Sequence, residues 1–171
     1  TETEEITWAN ELRELLKSLN ESYIFISGSS SGARTSLMYA LHFPEDLIGM
    51  IIMRVTGGEF AANRLPKNYY EVFIDTAKTG GMEAVSKTNR FAEYIKTNPA
   101  IEQQLLDMDV NEFIKIQTNL LGKFLDGANY PVMGITESEL DSIKVPSLVI
   151  PGNDNTHNSV SGIDAYNMLG N

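Results

Sequence analysis

The sequence predicts an α/β fold in which a parallel sheet is flanked by helices and interrupted by an inserted α-helical segment. Three observations carry that prediction. Two short apolar runs rich in β-formers, 23–26 and 47–55, bracket a helical stretch at 34–42; strand, helix and strand so close together demand a parallel pair with a right-handed crossover. A third such run, 145–150, returns near the C-terminus. Between Thr56 and Lys144 the texture is helical, with polar breaks. The expected organisation is a first core part at 1–56, a helical insert at 57–143 and a second core part at 144–171.

At 171 residues and 42% hydrophobic content the chain can bury a real core. Lys and Arg total 13 against 23 Asp and Glu, a net charge of -10, which repels a phosphate backbone and disfavours nucleic-acid and anionic-membrane partners. With no cysteine and only His42 and His157, neither a disulfide framework nor a Cys/His metal cluster is expected. No cofactor is expected. The longest strongly apolar stretch, 47–53, falls far short of the ~18–20 residues of a membrane span. The acidic, polar first residues do not read as a signal peptide, so the expectation is a soluble, cytoplasmic protein.

Each element has its own local warrant. From Thr7, an expected N-cap, Trp8, Leu12, Leu15, Leu16 and Leu19 recur on one face of a helix ending near Asn20. The apolar run at 23–26 is a buried strand entering the small-residue cluster 27–32. The helix at 34–42 stops ahead of Phe43-Pro44, since the residue before a proline is pushed out of helical conformation. Within the insert, helices are expected at 69–78, 82–96, 99–107 and 110–125, with Gly80-Gly81 and Gly127 as stops. Phe113, Ile116, Leu120, Leu121 and Phe124 share its buried face. Strand 145–150 breaks at Pro151-Gly152, and a last helix from Ser159 to Leu169 is expected to turn Val160, Ile163, Tyr166 and Leu169 inward.

The chemistry-bearing motif is Gly28-Ser29-Ser30-Ser31-Gly32, a GxSxG directly after a strand and directly before a helix. So tight a strand-to-helix turn holds the central serine in a strained backbone, and flanking glycines allow the close approach it needs. Ser30 is therefore the candidate nucleophile. The N-terminus of the next helix points at the same spot, making the Ser31 N–H a candidate oxyanion donor. A serine- and glycine-rich turn with no chemistry is the bland alternative.

Here the chain resembles the α/β-hydrolase superfamily, of the capped serine-hydrolase type. The run YIFISGSSSGARTSLMYALHFPEDLIGMIIM resembles the elbow and the two elements after it; KVPSLVIPGNDNTH resembles the strand after the cap, whose loop bears the triad acid. That match implies Asp154 as the acid, an Asx-type turn being the alternative. It implies that the insert is a cap closing over substrate. Ser29, and the Gly57-Gly58 pair bordering the pocket, become candidate substrate-binding positions, although the pair reads first as a hinge into the insert. Met50, Met53, Met82, Met108 and Met133 could line an acyl pocket but more often fill cores.

Departures from the pattern matter equally. The family's histidine follows one further strand, and no later histidine exists. His42 belongs to the helix-to-strand connection, a structural position. His157 lies three residues past Asp154, near enough to be a candidate base; because the family draws acid and base from different loops, its first reading is a residue lining the pocket or loop surface. The strands expected ahead of residue 1, with the loop that donates the second oxyanion N–H, are also missing. The expectation is an excerpt, a truncation or one partner of a complemented fold, with few strands and exposed edges, as a homo-oligomer or with a complementing segment.

The leading functional expectation is a cofactor-free serine hydrolase acting on a small-molecule ester, thioester, amide or activated carbon–carbon bond through an acyl-enzyme at Ser30. A haloperoxidase-like or lyase activity, or a non-catalytic ligand-binding protein that keeps the elbow as architecture, are the rivals.

Overall fold

A computed structural model describes residues 4–170. The chain divides into two units, Thr1–Ala62 with Gly127–Asn171, and Asn63–Asp126. The helical unit is thus narrower than the expected 57–143, because residues 127–143 contribute Val132, Ile135, Leu140 and Ile143 to the core of the first unit.

In the first unit, helix α1 (Glu4–Ser18) leads into strand β1 (Ile24–Ser29), helix α2 (Ser31–His42) and strand β2 (Leu47–Met53). Helix α3 (Gly58–Pro66) leads out of the unit and α7 (Val110–Ala128) leads back. Helix α8 (Glu137–Ser142), strand β3 (Ser147–Ile150) and helix α9 (Ser159–Met168) complete it. The three strands are all parallel in the order β1-β2-β3. Among the described residues β1 and β3 are the sheet edges.

Side chains alternate across the pleat. Ile26, Met50 and Ile52 face a core shared with Ala33, Leu37 and Tyr39 of α2, with Val149 packed against it. The opposite face carries Phe25, Ile51, Met53, Leu148 and Ile150, of which Phe25, Leu148 and Ile150 are exposed. The Phe25 ring lies over Gly49, where a Cβ would meet it at 2.8 Å. A polar network ties α1 to α2 and the turn after it. Asp46 Oδ2 accepts from Arg13 Nε at 2.9 Å and from the Tyr39 hydroxyl at 3.0 Å, and Arg13 stacks on Phe43 at 4.0 Å. Burial, then the bond to Asp46, pushes the Tyr39 phenol up to about 12.

Several helix faces differ from expectation. Helix α1 starts before Thr7 and buries Ala9, with Ile6, Leu12 and Leu16 packed on the core, leaving Trp8, Leu15 and Leu19 exposed. Helix α9 turns Ser161, Gly162 and Ala165 inward and leaves Val160, Ile163 and Tyr166 exposed. The cause is close approach: a Cβ on Gly162 would lie 2.9 Å from Pro151 Cα, so only a small-residue face fits there. Helix α8 was not expected; a capping box between Thr136 and Glu139 starts it.

The second unit contains helices α4 (Val72–Ser86), α5 (Asn89–Thr97) and α6 (Ala100–Leu106) and most of α7. Its core is Phe73, Ala77, Met82, Val85, Leu105 and Phe113. Gly80-Gly81 interrupts the helix as expected: Gly81 leaves helical conformation at φ 65° and ψ -166°, so α4 is two helical segments that meet at a kink there. On α7 Phe113 is buried, Leu121 and Phe124 are half-buried, and Ile116 and Leu120 are exposed. Met50 fills the core of the first unit and Met82 that of the second, while Met108 is exposed. Among the described residues no helix is long and apolar enough to cross a membrane.

Candidate active site

The candidate site residues follow the carboxyl ends of the three parallel strands, the usual place for function in an open α/β sheet. Ser30 follows β1 directly. Its backbone has φ 58° and ψ -118°, a conformation that costs a non-glycine residue roughly 1–3 kcal/mol. Neighbouring structure over-determines it. The Ser30 N–H donates to Met53 O at 3.0 Å at the end of β2, and its own carbonyl accepts from Ala33 and Arg34 in the first turn of α2. Gly28 makes the turn possible, because a Cβ there would lie 2.0 Å from Gly32 O and 2.6 Å from Ser36 Oγ. The same test finds open space at Gly32.

Asp154 and His157 share the loop after β3. The Asp154 N–H donates to His157 O at 3.0 Å, and Asp154 Oδ1 accepts from the N–H groups of Thr156 and His157, each at 2.8 Å. This Asx-type turn curls the loop so that the His157 ring returns over its own acid, Nδ1 lying 3.1 Å from Oδ1 and 3.3 Å from Oδ2. Nε2 then lies 2.9 Å from Ser30 Oγ. His157 is buried and Asp154 exposed. The loop can turn so tightly because Gly152 has no side chain: a Cβ there would meet His157 O at 2.4 Å.

The backbone N–H of Thr156, followed by that of His157, holds the Asp154 carboxyl down at about 2. The carboxylate is then an acceptor only, so Nδ1 carries the ring proton and Nε2 presents its lone pair to the Ser30 hydroxyl. A fourth group enters from the position just after β2. Arg54 pairs with Asp154 Oδ2, and its Nη2 lies 3.3 Å from His157 Nδ1. The sequence reading did not single out Arg54. The available signal was its place as the one charged residue at the end of an otherwise apolar strand, where a parallel sheet presents its functional edge.

The remaining candidates are placed as follows. Ser31 is the first residue of α2, so its N–H lies outside the helix's own ladder, beside Ser30. Ser29 is exposed and pairs with Met53. Gly57 is buried; a Cβ there would strike Pro131 O at 2.3 Å, and its carbonyl lies 2.9 Å from Ser161 Oγ. Gly58, φ 66°, donates to Tyr130 O at 2.6 Å. The pair is a packing junction that opens α3. His42 ends α2, at the other end of that helix from Ser30, with its ring beside Phe43.

Solved structures share this architecture. An α/β-hydrolase enzyme from a Medee basin deep-sea metagenome library superposes with TM-score 0.56 at 19% identity, over 94% of this chain and 58% of that one. The fold is that of the α/β-hydrolases. Est816, an N-acyl homoserine lactone degrading enzyme, matches the α/β-hydrolase fold of this chain with TM-score 0.55 at 17% identity over 99% of it and 64% of its own chain. The enol-lactonase from Burkholderia xenovorans LB400 matches with TM-score 0.53 at 17% identity, over 96% and 61%. The chain thus spans part of the α/β-hydrolase fold, under two thirds of the length of these proteins. Neither a protein-family model nor a curated protein matches it.

Proposed function

We propose that the chain carries the catalytic machinery of a serine hydrolase acting on a small ester, thioester, amide or activated carbon–carbon bond through an acyl-enzyme. The observation that carries this reading is the continuous relay from Ser30 Oγ to His157 Nε2 at 2.9 Å and from Nδ1 to Asp154 at 3.1 Å. Ser30 Oγ attacks the carbonyl while its proton passes to Nε2. The imidazolium is stabilised by the ionised Asp154, and the oxyanion by the Ser31 N–H at the positive end of α2. Collapse of the tetrahedral intermediate returns the proton to the leaving group, and water attacks the acyl-enzyme by the same relay. The activities of the similar structures, lactone degradation among them, support this substrate class.

Fluorophosphonate labelling with peptide mass spectrometry tests the proposal. The adduct is expected on Ser30, absent in Ser30→Ala and slowed at least ~10²-fold in His157→Ala, the usual scale of a lost general base. A folded chain that leaves Ser30 unlabelled overturns it and favours a ligand-binding protein that uses the elbow as architecture.

A further inference from the structure

Arg54 leaves β2 with φ 54°, in the left-handed region that bulky side chains rarely occupy, anchored by its N–H to Ile150 O at 2.9 Å. From there its guanidinium reaches Asp154 Oδ2 and His157 Nδ1. Asp154 does not depend on Arg54 for its orientation, since two backbone N–H groups already hold Oδ1 at 2.8 Å. Nor is the contact with Nδ1 a hydrogen bond, because both atoms carry protons when Nδ1 faces a carboxylate. What remains is a positive charge 3.3 Å from a ring that must itself become positive to take the Ser30 proton. The same guanidinium engages Oδ2, the carboxylate oxygen 3.3 Å from Nδ1. Both effects oppose imidazolium formation.

We infer that Arg54 is a positioning residue that acts through Asp154 and His157 as an electrostatic restraint on proton removal from Ser30, an inference that rests on the acyl-transfer reading. Among the described residues the charged groups on the His157 ring are Asp154 from its own loop and Arg54 from the position after β2. Arg54 is half exposed, its side chain 51% accessible, so water screens its charge and the effect falls at the low end of what a like charge at this distance produces.

The test measures fluorophosphonate labelling of Ser30 as a function of pH in the unsubstituted chain, Arg54→Met, Arg54→Gln and Arg54→Lys, with circular dichroism to select folded variants. Removing the cation should move the midpoint of the acid limb to higher pH, by roughly 0.5 unit, in the Met and Gln variants. Arg54→Lys should stay near the unsubstituted midpoint. A merely structural role would lower the labelled fraction and leave the midpoint in place. An unmoved midpoint in both neutral variants, or a Lys variant that shifts with them, overturns the inference while the acyl-transfer reading stands. Failure of the unsubstituted chain to label at Ser30 overturns both.

Discussion

Substituting the two glycines of the elbow one at a time should have opposite consequences, although the motif treats them alike. At Gly28 an added Cβ would sit 2.0 Å from Gly32 O, 2.3 Å from Gly32 C and 2.6 Å from Ser36 Oγ. Ordinary contact begins near ~3.5 Å, so β1 and α2 must part by roughly 1.5 Å, and two of the three obstructing atoms are backbone. Overpacking of this kind costs about 1–3 kcal/mol or more. Because the displacement falls within two residues of Ser30, it should also slow Ser30 labelling by ~10²-fold, the scale of an ångström's misplacement in a reacting geometry. At Gly32 nothing lies within 4 Å of the added carbon, and the residue is the second of α2. Gly32→Ala should therefore be neutral or stabilise by up to ~1 kcal/mol, the helix-propensity difference. Urea denaturation and labelling rates of Gly28→Ala and Gly32→Ala check both statements. A Gly28→Ala chain indistinguishable from the unsubstituted one, or a Gly32→Ala chain as damaged as Gly28→Ala, would refute the steric account of the motif.

Two further outcomes follow from the polar networks. The Asp154 carboxyl is lowered from its ordinary 3.8 to about 2, so its charge contributes stability above about pH 4 that is lost as pH falls through the folded value. In urea titrations the gap between the unsubstituted chain and Asp154→Asn should narrow as pH falls below about 4 towards 2; a gap unchanged across that range contradicts the loop geometry. In the α1–α2 network, Tyr39→Phe should cost about 1 kcal/mol for one lost hydrogen bond, whereas Asp46→Ala should cost more, up to ~3 kcal/mol, since it strands the buried Tyr39 hydroxyl. Equal costs by urea denaturation would mean that the Tyr39–Asp46 bond contributes little.

What the sequence made legible was local. The elbow could be read because a strand, a glycine-flanked serine and a helix are consecutive, and each has its own pattern. The placement of β2 and β3 followed from apolar runs of the right length. Facing was harder. On α9 the period favours Val160, Ile163 and Tyr166 as the buried side, yet Pro151 comes so close to Gly162 that the helix turns its small-residue face, Ser161, Gly162 and Ala165, inward. Close approach rewards small residues, and hydrophobic periodicity is blind to it. Helix α3 was hidden because Gly57-Gly58 reads as a break, whereas Gly57 is required by Pro131. His157 carries the same lesson at the site: three residues of spacing from Asp154 say nothing about whether the loop curls, and the curl depends on Gly152 and on two backbone donors whose direction has no sequence signal.

Because Asp154 and His157 stand three residues apart on one loop, they form a single mechanical piece. The Asx-type turn fixes the distance between Asp154 and His157 internally, independent of what the rest of the sheet does. Alignment of three groups is thereby reduced to one variable, the separation between that loop and the elbow. A disturbance at the end of β3 would carry Asp154 and His157 away from Ser30 together, so the proposed relay should fail in one step rather than degrade group by group, and a graft of the loop onto a related sheet would have one gap to set.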